Sequence, residues 1–352
     1  MNRLEYNKHM QILQNVPLAL YSTMRLGGKA AYVTDVHSED ELAEALSWAK
    51  EHELPVIMVG GGSNIVWRDE GFNGLLIVSK IIGHEIIEKN SDEAIVKIGA
   101  GENWDNVVEW AVDQGLSGIE TLSLIPGTAG ATPVQNVEAY GEQIADTLKK
   151  VLAYDVARNE FRELSNADCK FGYRTSRFKN VDHGKFFICT LWLRLHYSQL
   201  QPPFHRGLQQ YLDEHTITDF SPLSLRKAVV DIRSNKLPDP TKVANNGSFF
   251  KNPFVDTSTF DKLKNEFPDI LHYPSDSGTV KLSAMWLIEH AGFTKGYSDP
   301  DTGMALWPKH TLVFVNKSAK NTGDLLKFRQ KIVDAVEQKF HVTLEQEPEL
   351  LP

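Results

Sequence analysis

Gly60-Gly61-Gly62-Ser63-Asn64 follows the apolar run Val56-Ile57-Met58-Val59, and a second glycine-bearing stretch, Leu124-Ile125-Pro126-Gly127-Thr128-Ala129-Gly130, comes about sixty residues later. A strand end that runs into glycines presents unencumbered backbone N–H groups, and such a concave turn binds phosphate without a lysine. Two of them point to a ligand with two phosphates, gripped from two sides. The spacing also excludes folds. A Rossmann dinucleotide fold needs G-x-G-x-x-G opening a helix. After Gly60 and Gly62 the third place is Ile65, and after Gly99 and Gly101 it is Trp104. No G-x-x-x-x-G-K-S/T occurs, which removes the P-loop fold. Taken alone, Gly60–Asn64 is equally well an ordinary tight turn.

Periodicity supplies the surrounding elements. Tyr32-Val33 reads as a strand, and Ser38 with Glu41 reads as a capping box opening a helix whose stripe is Leu42, Ala45, Leu46 and Ala49. Pro55 to Val59 and Gly74 to Val78 are strands, so a β-α-β unit ends in the first glycine turn. Ala94, Val96 and Ile98 alternate as a strand, and Val107, Trp110 and Ala111 mark a helix that stops at Gly115. Val151 to Tyr154 is a strand, and Phe186 to Leu195 is a strand apolar on both faces, hence central in its sheet. Ser198 to Pro222 reads as irregular, a boundary or a long functional loop. Beyond it come a helix over Leu225–Ile232, a loop over Asn245–Pro253, a helix over Leu282–Ala291 and a strand over Thr311–Val315. Thr322 caps a last helix with stripe Leu325, Phe328, Ile332, Val336 and Phe340.

Length and charge narrow the classes. A chain of 352 residues predicts two or three domains. Met1–Asn7 lacks the apolar core of a secretory leader, and the most apolar run, Phe186 to Leu193, falls far short of a bilayer span. A cytoplasmic protein without membrane attachment is expected. Cys169 and Cys189 are the two cysteines, so no disulfide framework is expected, and the histidines show no H-E-x-x-H, so no metal site is expected either. A net charge of −9 argues against a nucleic-acid partner. Yet Lys170 to Lys251 holds thirteen Lys or Arg against six Asp or Glu. A basic middle in an acidic chain suits an anionic small molecule, or else a solvated face beside an acidic neighbour.

Three further stretches carry possible chemistry. In Asn245-Asn246-Gly247-Ser248-Phe249-Phe250-Lys251-Asn252-Pro253, Gly247 lets backbone approach a ligand, Ser248 sits at a bend beside two water-excluding aromatics, and Lys251 and Asn252 offer donors to an anion. In Phe171-Gly172-Tyr173-Arg174-Thr175-Ser176-Arg177-Phe178-Lys179, cations interleave with aromatics, as an anion clamp or as surface snorkelling requires. Leu344-Glu345-Gln346-Glu347 carries carboxylates that by themselves read as solvated.

In order, the glycine turn, Ile-Pro-Gly-Thr, Tyr-Arg-x-Ser-x-Phe-Lys, Leu237-Pro238-Asp239-Pro240, Gly-Ser-Phe-Phe-Lys-Asn-Pro and Leu-Glu-x-Glu resemble the UDP-N-acetylenolpyruvoylglucosamine reductases from about Thr23 to Glu347. These flavoenzymes complete UDP-N-acetylmuramate for peptidoglycan, and the segment lengths resemble their longer form. The resemblance implies an α+β fold: a two-lobed FAD-binding module of the vanillyl-alcohol-oxidase type, with lobes over 1–79 and 80–222, then an α/β substrate domain over 223–352. It implies that Arg174, Ser248 and Glu347 are catalytic. It implies non-covalent FAD at Gly60, Gly61, Gly62, Ser63, Asn64, Ile65, Pro126, Gly127, Gly130, Thr132 and Asn136. Substrate contacts fall on Tyr140, Tyr173, Arg233, Lys236, Asn252 and His310. NADPH is the implied reductant, UDP-N-acetylglucosamine enolpyruvate the substrate, and a monomer the implied state. Two departures stand out. Glu138 occupies a place where glycine is common before Ala-Tyr-Gly, and the long form's substrate-covering tyrosine has only Tyr197 and Tyr211 as candidates. Rival expectations are an FAD-dependent alcohol oxidase built on the same module, and a non-catalytic nucleotide-binding protein.

Overall fold

The computed structural model describes residues 10–273 and 278–352. Met1–Asn7, read above for a leader, lies outside them. The chain forms two compact units. The first takes Ala30–Gly61 and Phe72–Asn235 with the N-terminal stretch up to Val16, and the second takes Pro17–Lys29, Gly62–Gly71 and Lys236–Pro352.

The first unit holds two sheets. In one, Lys29–Val36 and Val56–Val59 flank Phe72–Ser79, and both pairings are parallel. Parallel neighbours need a crossover, which the helix Glu39–Glu51 provides, burying Leu42, Ala45, Leu46 and Ala49. Its start differs in detail from a capping box. Ser38 accepts from the Glu41 amide as expected, but the Glu41 carboxylate takes the amide of His37, one residue further out. The other sheet is antiparallel, in the order Glu160–Ser165, Leu148–Asp155, Phe186–His196, Glu93–Gly99, His84–Lys89. Phe186–His196 is central, as its two apolar faces require. The helix Trp104–Asp113 buries Trp104, Val107, Val108, Ala111 and Val112 within that sheet's core.

The stretch expected to be irregular contains a helix, Arg206–Glu214. It buries Leu208 and Leu212 against Leu225, Ala228 and Val229 of the helix Pro222–Lys236. Its first turn is capped by the ring of His205, whose Nδ1 accepts from the Gly207 amide.

The second unit has its own core, centred on Phe249, Phe250, Phe314, Phe328 and Phe340. Its main sheet runs Asn245–Ser248, His310–Asn316, Met304–Trp307, Ser298–Asp299, all antiparallel. Asn245–Ser248, expected as loop, is thus an edge strand. The helix Ala284–His290 starts later than expected because Thr279–Leu282 is strand and Ser283 caps. The helix Thr322–Phe340 is capped by Asn321, not Thr322, whose hydroxyl donates to Trp67 O. Met24, Leu26 and Val66 are buried in this core, and Ile65–Trp67 pairs in parallel with Glu349–Leu351. Two early segments therefore belong with the C-terminal residues, and the helix Pro222–Lys236 closes the first unit. These edges differ from the expected cuts at 79/80 and 222/223.

Candidate active site

Within the first unit, the two glycine stretches meet. A Cβ on Gly61 would lie 2.9 Å from Gly127 Cα, and one on Gly60 would collide with the Thr128 hydroxyl. Only backbone without side chains permits this approach. Gly127 is held from behind, where its carbonyl accepts from the Trp104 amide, and Ala129 and Gly130 donate to the carbonyls of Glu102 and Ala100. The loop leaves this unit at Gly61 and continues in the second at Gly62. Among the described residues, no protein acceptor takes the amide hydrogens of Gly61 and Gly62. Backbone donors in a glycine-rich cradle fit the pyrophosphate of FAD.

Thr132 and Asn136, expected at the cofactor, have their side chains engaged within the protein. The Thr132 hydroxyl donates to Ala129 O, 2.7 Å. Asn136 is buried, with Nδ2 donating to Gln143 Oε1 at 2.7 Å and to Gly172 O at 3.1 Å, and Oδ1 accepting from the Ala145 amide. Their amides are engaged as well, Thr132 N donating to Ala129 O and Asn136 N to Pro133 O, so both residues shape the loop.

Arg174 stands on a tight turn closed by reciprocal amide–carbonyl bonds between Gly172 and Thr175. Its φ is +52°, a left-handed conformation uncommon for arginine. Its guanidinium carbon lies 5.6 Å from the Tyr173 ring. Beside it, Glu138–Ala139 and Glu142–Gln143 form a short hairpin with Tyr140 and Gly141 at its tip. Burial pushes the Tyr140 phenol up, against the pull of neighbouring Arg233. Arg233 donates to Leu124 O at 3.3 Å, and burial lowers its pKa from the ordinary arginine value. The first unit thus carries Tyr140 beside Arg233, and Tyr173 beside Arg174. Arg177, read with Arg174 as a clamp, is committed elsewhere. It grips Asp182 at 2.7 and 2.8 Å and the Asp168 carbonyl.

In the second unit, Ser248 ends an edge strand with a bulge. Asn245 pairs with Val315, Ser248 pairs with Val313, and the register shifts between them. Gly247 has φ +68° and donates to Asn245 Oδ1 at 2.9 Å. The left-handed bend makes glycine necessary here; space for a Cβ is open among the described residues, so close approach does not. Phe249 and Phe250 do not line a site. They are fully buried, and Phe249 stacks on Phe314 with centroids 4.4 Å apart. Two large core anchors fix the strand that carries Ser248.

Glu347 comes to this strand through the backbone. Its amide donates to Phe249 O at 3.0 Å, Phe250 bridges Gln346, and the Lys251 amide donates to Glu345 O. An acidic stretch that composition alone marks as solvated is therefore a third paired segment beside Ser248. Lys251 pairs with Glu345, and the Asn252 side-chain oxygen accepts from the Ala284 amide at 3.0 Å, so both have structural duties. Asn246, which sequence reading passed over, is buried and donates to Ser63 O at 3.3 Å and Ile65 O at 3.0 Å. With Glu349 donating to Asn64 O, it ties Ser63, Asn64 and Ile65 to the elements of Ser248 and Glu347. His310 lies in the same unit, where burial foremost, then Lys236 and Lys295, depress its pKa to about 3.

Among the described residues, neither sequence candidate for a covering tyrosine makes a ring contact with Tyr140. Tyr211 donates to Asp231 at 2.8 Å and stacks on His215, and Tyr197 is 37% exposed just beyond a strand end. The ring that meets Tyr140 edge-on is His205, at 5.8 Å. Both cysteines are buried and unpaired, their thiols pushed up to about 12 chiefly by burial. Among the described residues, no helix is long and apolar enough to cross a membrane.

Comparison with known proteins agrees with the fold and the glycine cradle. The FAD binding domain family matches residues 30–165, and the family described as UDP-N-acetylenolpyruvoylglucosamine reductase, C-terminal domain, matches residues 239–351. The chain is 37% identical over 341 residues to the UDP-N-acetylenolpyruvoylglucosamine reductase of Pseudomonas syringae pv. syringae, covering 97% of this chain and 99% of that one. It is 38% identical over 335 residues to the enzyme of the same name from Ralstonia nicotianae, covering 94% and 97%. A crystal structure of UDP-N-acetylenolpyruvylglucosamine reductase from Thermus caldophilus shares the fold, with a TM-score of 0.67 at 23% identity over 97% of this chain and 100% of that one. The α+β fold, the glycine cradle and full-length identity of this order converge, and the chain belongs to the UDP-N-acetylenolpyruvoylglucosamine reductase family.

Proposed function

We propose that Arg174, Ser248 and Glu347 divide the work of reducing the enolpyruvyl group between charge stabilisation and proton donation. The chain is an FAD-dependent oxidoreductase of peptidoglycan synthesis that uses NADPH to reduce UDP-N-acetylglucosamine enolpyruvate to UDP-N-acetylmuramate. Bound FAD would supply the hydride-transfer chemistry that links NADPH to the enolpyruvyl double bond. Gly60 to Ile65 and Pro126 to Gly130 are the residues that would hold it, through backbone amides.

Hydride addition to an α,β-unsaturated carboxylate drives negative charge onto that carboxylate. Arg174 offsets this charge, and Glu347, holding a proton, donates a second hydrogen bond. Preorganised stabilisation of this kind is usually the largest catalytic contribution. The α-carbon then needs a proton, and Ser248 donates it through its hydroxyl. A serine is a weak acid, but the acceptor is strongly basic and water can restore the proton. The backbone pairing of Glu345–Glu347 with Phe249–Lys251 is the observation that supports this reading, because it brings the chain at Glu347 next to the segment that follows Ser248. Tyr140, Tyr173, Arg233, Lys236, Asn252 and His310 remain the proposed substrate contacts. The enzyme acts in the cytoplasm as a monomer, which sedimentation of the flavin-loaded protein checks.

Stopped-flow absorbance of the Ser248→Ala variant tests the assignment. NADPH should bleach the flavin at the wild-type rate. Recovery on adding UDP-N-acetylglucosamine enolpyruvate should slow by about 10²–10⁴-fold, the range for a lost proton donor. Equal loss in both half-reactions would remove Ser248 from that role.

A further inference from the structure

The turn Gly172–Thr175 and the hairpin Glu138–Gln143 are bolted together. Asn136 reaches both Gln143 and Gly172, and the Ser176 hydroxyl donates to Val134 O at 2.6 Å. The bolting sets Glu138 Oε2 3.4 Å from Arg174 Nη1. Charge-assisted bonds between these groups are normally ~2.7–2.9 Å. The pair is therefore loose, and with side chains 34% and 21% exposed, both partners are open to a competing solute.

We propose that Glu138 is an internal counter-ion of Arg174, which the carboxylate of the substrate must displace or share. This rests on the reading of Arg174 as the residue that meets that carboxylate. Glu138 is a positioning residue. It holds the guanidinium on the tip of its turn in the absence of substrate, and its charge sets how strongly an incoming anion is bound. The competition is present in the ground state and persists in the transition state. It therefore acts on KM and leaves kcat little changed.

The Glu138→Gln variant keeps a hydrogen-bond acceptor and removes the charge. Its KM for UDP-N-acetylglucosamine enolpyruvate should fall by about two- to five-fold, the range for a partly exposed ion pair. The gap from wild type should narrow as salt is raised, because screening weakens the internal pair. Glu138→Asp should restore a wild-type salt dependence. A KM for Glu138→Gln that is unchanged, higher, or lower by a salt-independent factor overturns the proposal. Arg174→Gln separates the two levels. If it slows flavin reoxidation by substrate while Glu138→Gln leaves KM alone, the counter-ion role falls by itself. If it leaves reoxidation intact, the reading of Arg174 falls and takes the proposal with it.

Discussion

Asn136 Nδ2 donates to Gly172 O across 3.1 Å, and with the Ser176 hydroxyl on Val134 O this bond ties the loop after the second glycine stretch to the turn that presents Arg174. The same side chain accepts from the Ala145 amide, and its own φ of +49° is one that asparagine tolerates. Truncation strands the Ala145 amide and the Gln143 side-chain oxygen, and leaves Gly172 O with the Thr175 amide alone. Asn136→Ala should lower stability by about 2–4 kcal/mol, read as a shift in urea midpoint at constant m-value. Asn136→Asp keeps the acceptor and loses both donors, so it should also destabilise and should slow reoxidation of the flavin by substrate. A wild-type midpoint for Asn136→Asp would show that the bond to Gly172 does not hold the turn.

Arg226 and Asp105 form a two-pronged ion pair, 2.6 and 3.2 Å, between the helices Pro222–Lys236 and Trp104–Asp113. Asp105 also takes the amide of Leu124, whose carbonyl receives Arg233. Arg226 is 8% exposed, so removing Asp105 leaves a buried charge with only the Glu109 carboxylate, 3.5 Å away on an exposed side chain. Asp105→Ala should cost about 2–4 kcal/mol, somewhat less than a buried charge left wholly unpaired. Arg226→Met should cost less, because an apolar chain fills the space and Asp105 keeps its amide donor. Asp105→Ala should also raise KM, through the lost seat of Arg233. Equal costs for the two variants would refute the asymmetry.

Glu142 is partly buried beside Glu120, and the Thr121 hydroxyl donates to its Oε2 at 2.5 Å. Burial first, then repulsion from Glu120, raises its pKa from 4.5 to about 7. A carboxyl raised in the folded state keeps a proton that the unfolded chain has already released. Its contribution to stability is present below about pH 4.5 and is lost as pH rises through about 7. Glu142→Gln keeps an acceptor for Thr121 and cannot ionise. It should be more stable than wild type at pH 8, by about 1–2 kcal/mol, with no gain at pH 4.5. Thermal unfolding by circular dichroism at both pH values decides it.

What the sequence made legible was short-range. The stripe of Leu42, Ala45, Leu46 and Ala49 announces a helix because its contacts recur every three or four residues. Phe186–His196 announces a central strand because both faces are apolar. The helix Arg206–Glu214 escapes such reading because it buries only Leu208 and Leu212 and opens with a histidine cap. Phe249 and Phe250 resemble a site lining because their partner, Phe314, lies far along the chain. The membership of Met24, Leu26 and Val66 in the C-terminal core carries no local signature at all. The site residues were legible chiefly through an ordered set of motifs. Their supports (Asn246, Asp105, Gln143) were not, since each acts on carbonyls, amides or charges that adjacent sequence does not mark.

His310 offers a test of the second unit that needs no cofactor. It is 9% exposed, and the Leu312 amide donates to its Nδ1 at 3.3 Å, so the neutral ring carries its proton on Nε2. Burial, with Lys236 and Lys295 nearby, holds its pKa at about 3, against an ordinary value of 6.5. The folded state therefore refuses a proton that the unfolded chain accepts. Stability from this residue is complete above pH 6.5 and is lost as pH falls from there toward 3. At pH 5 the loss should reach about 1–2 kcal/mol. His310→Gln retains a polar side chain and has no proton to refuse, so its stability should fall less between pH 7.5 and pH 5 than that of wild type. Parallel curves for the two proteins would place the acid sensitivity elsewhere. A neutral ring also means that His310 meets substrate as a hydrogen-bonding group and not as a cation. The KM of the wild-type enzyme should then show no step near pH 6.5 that His310→Gln abolishes.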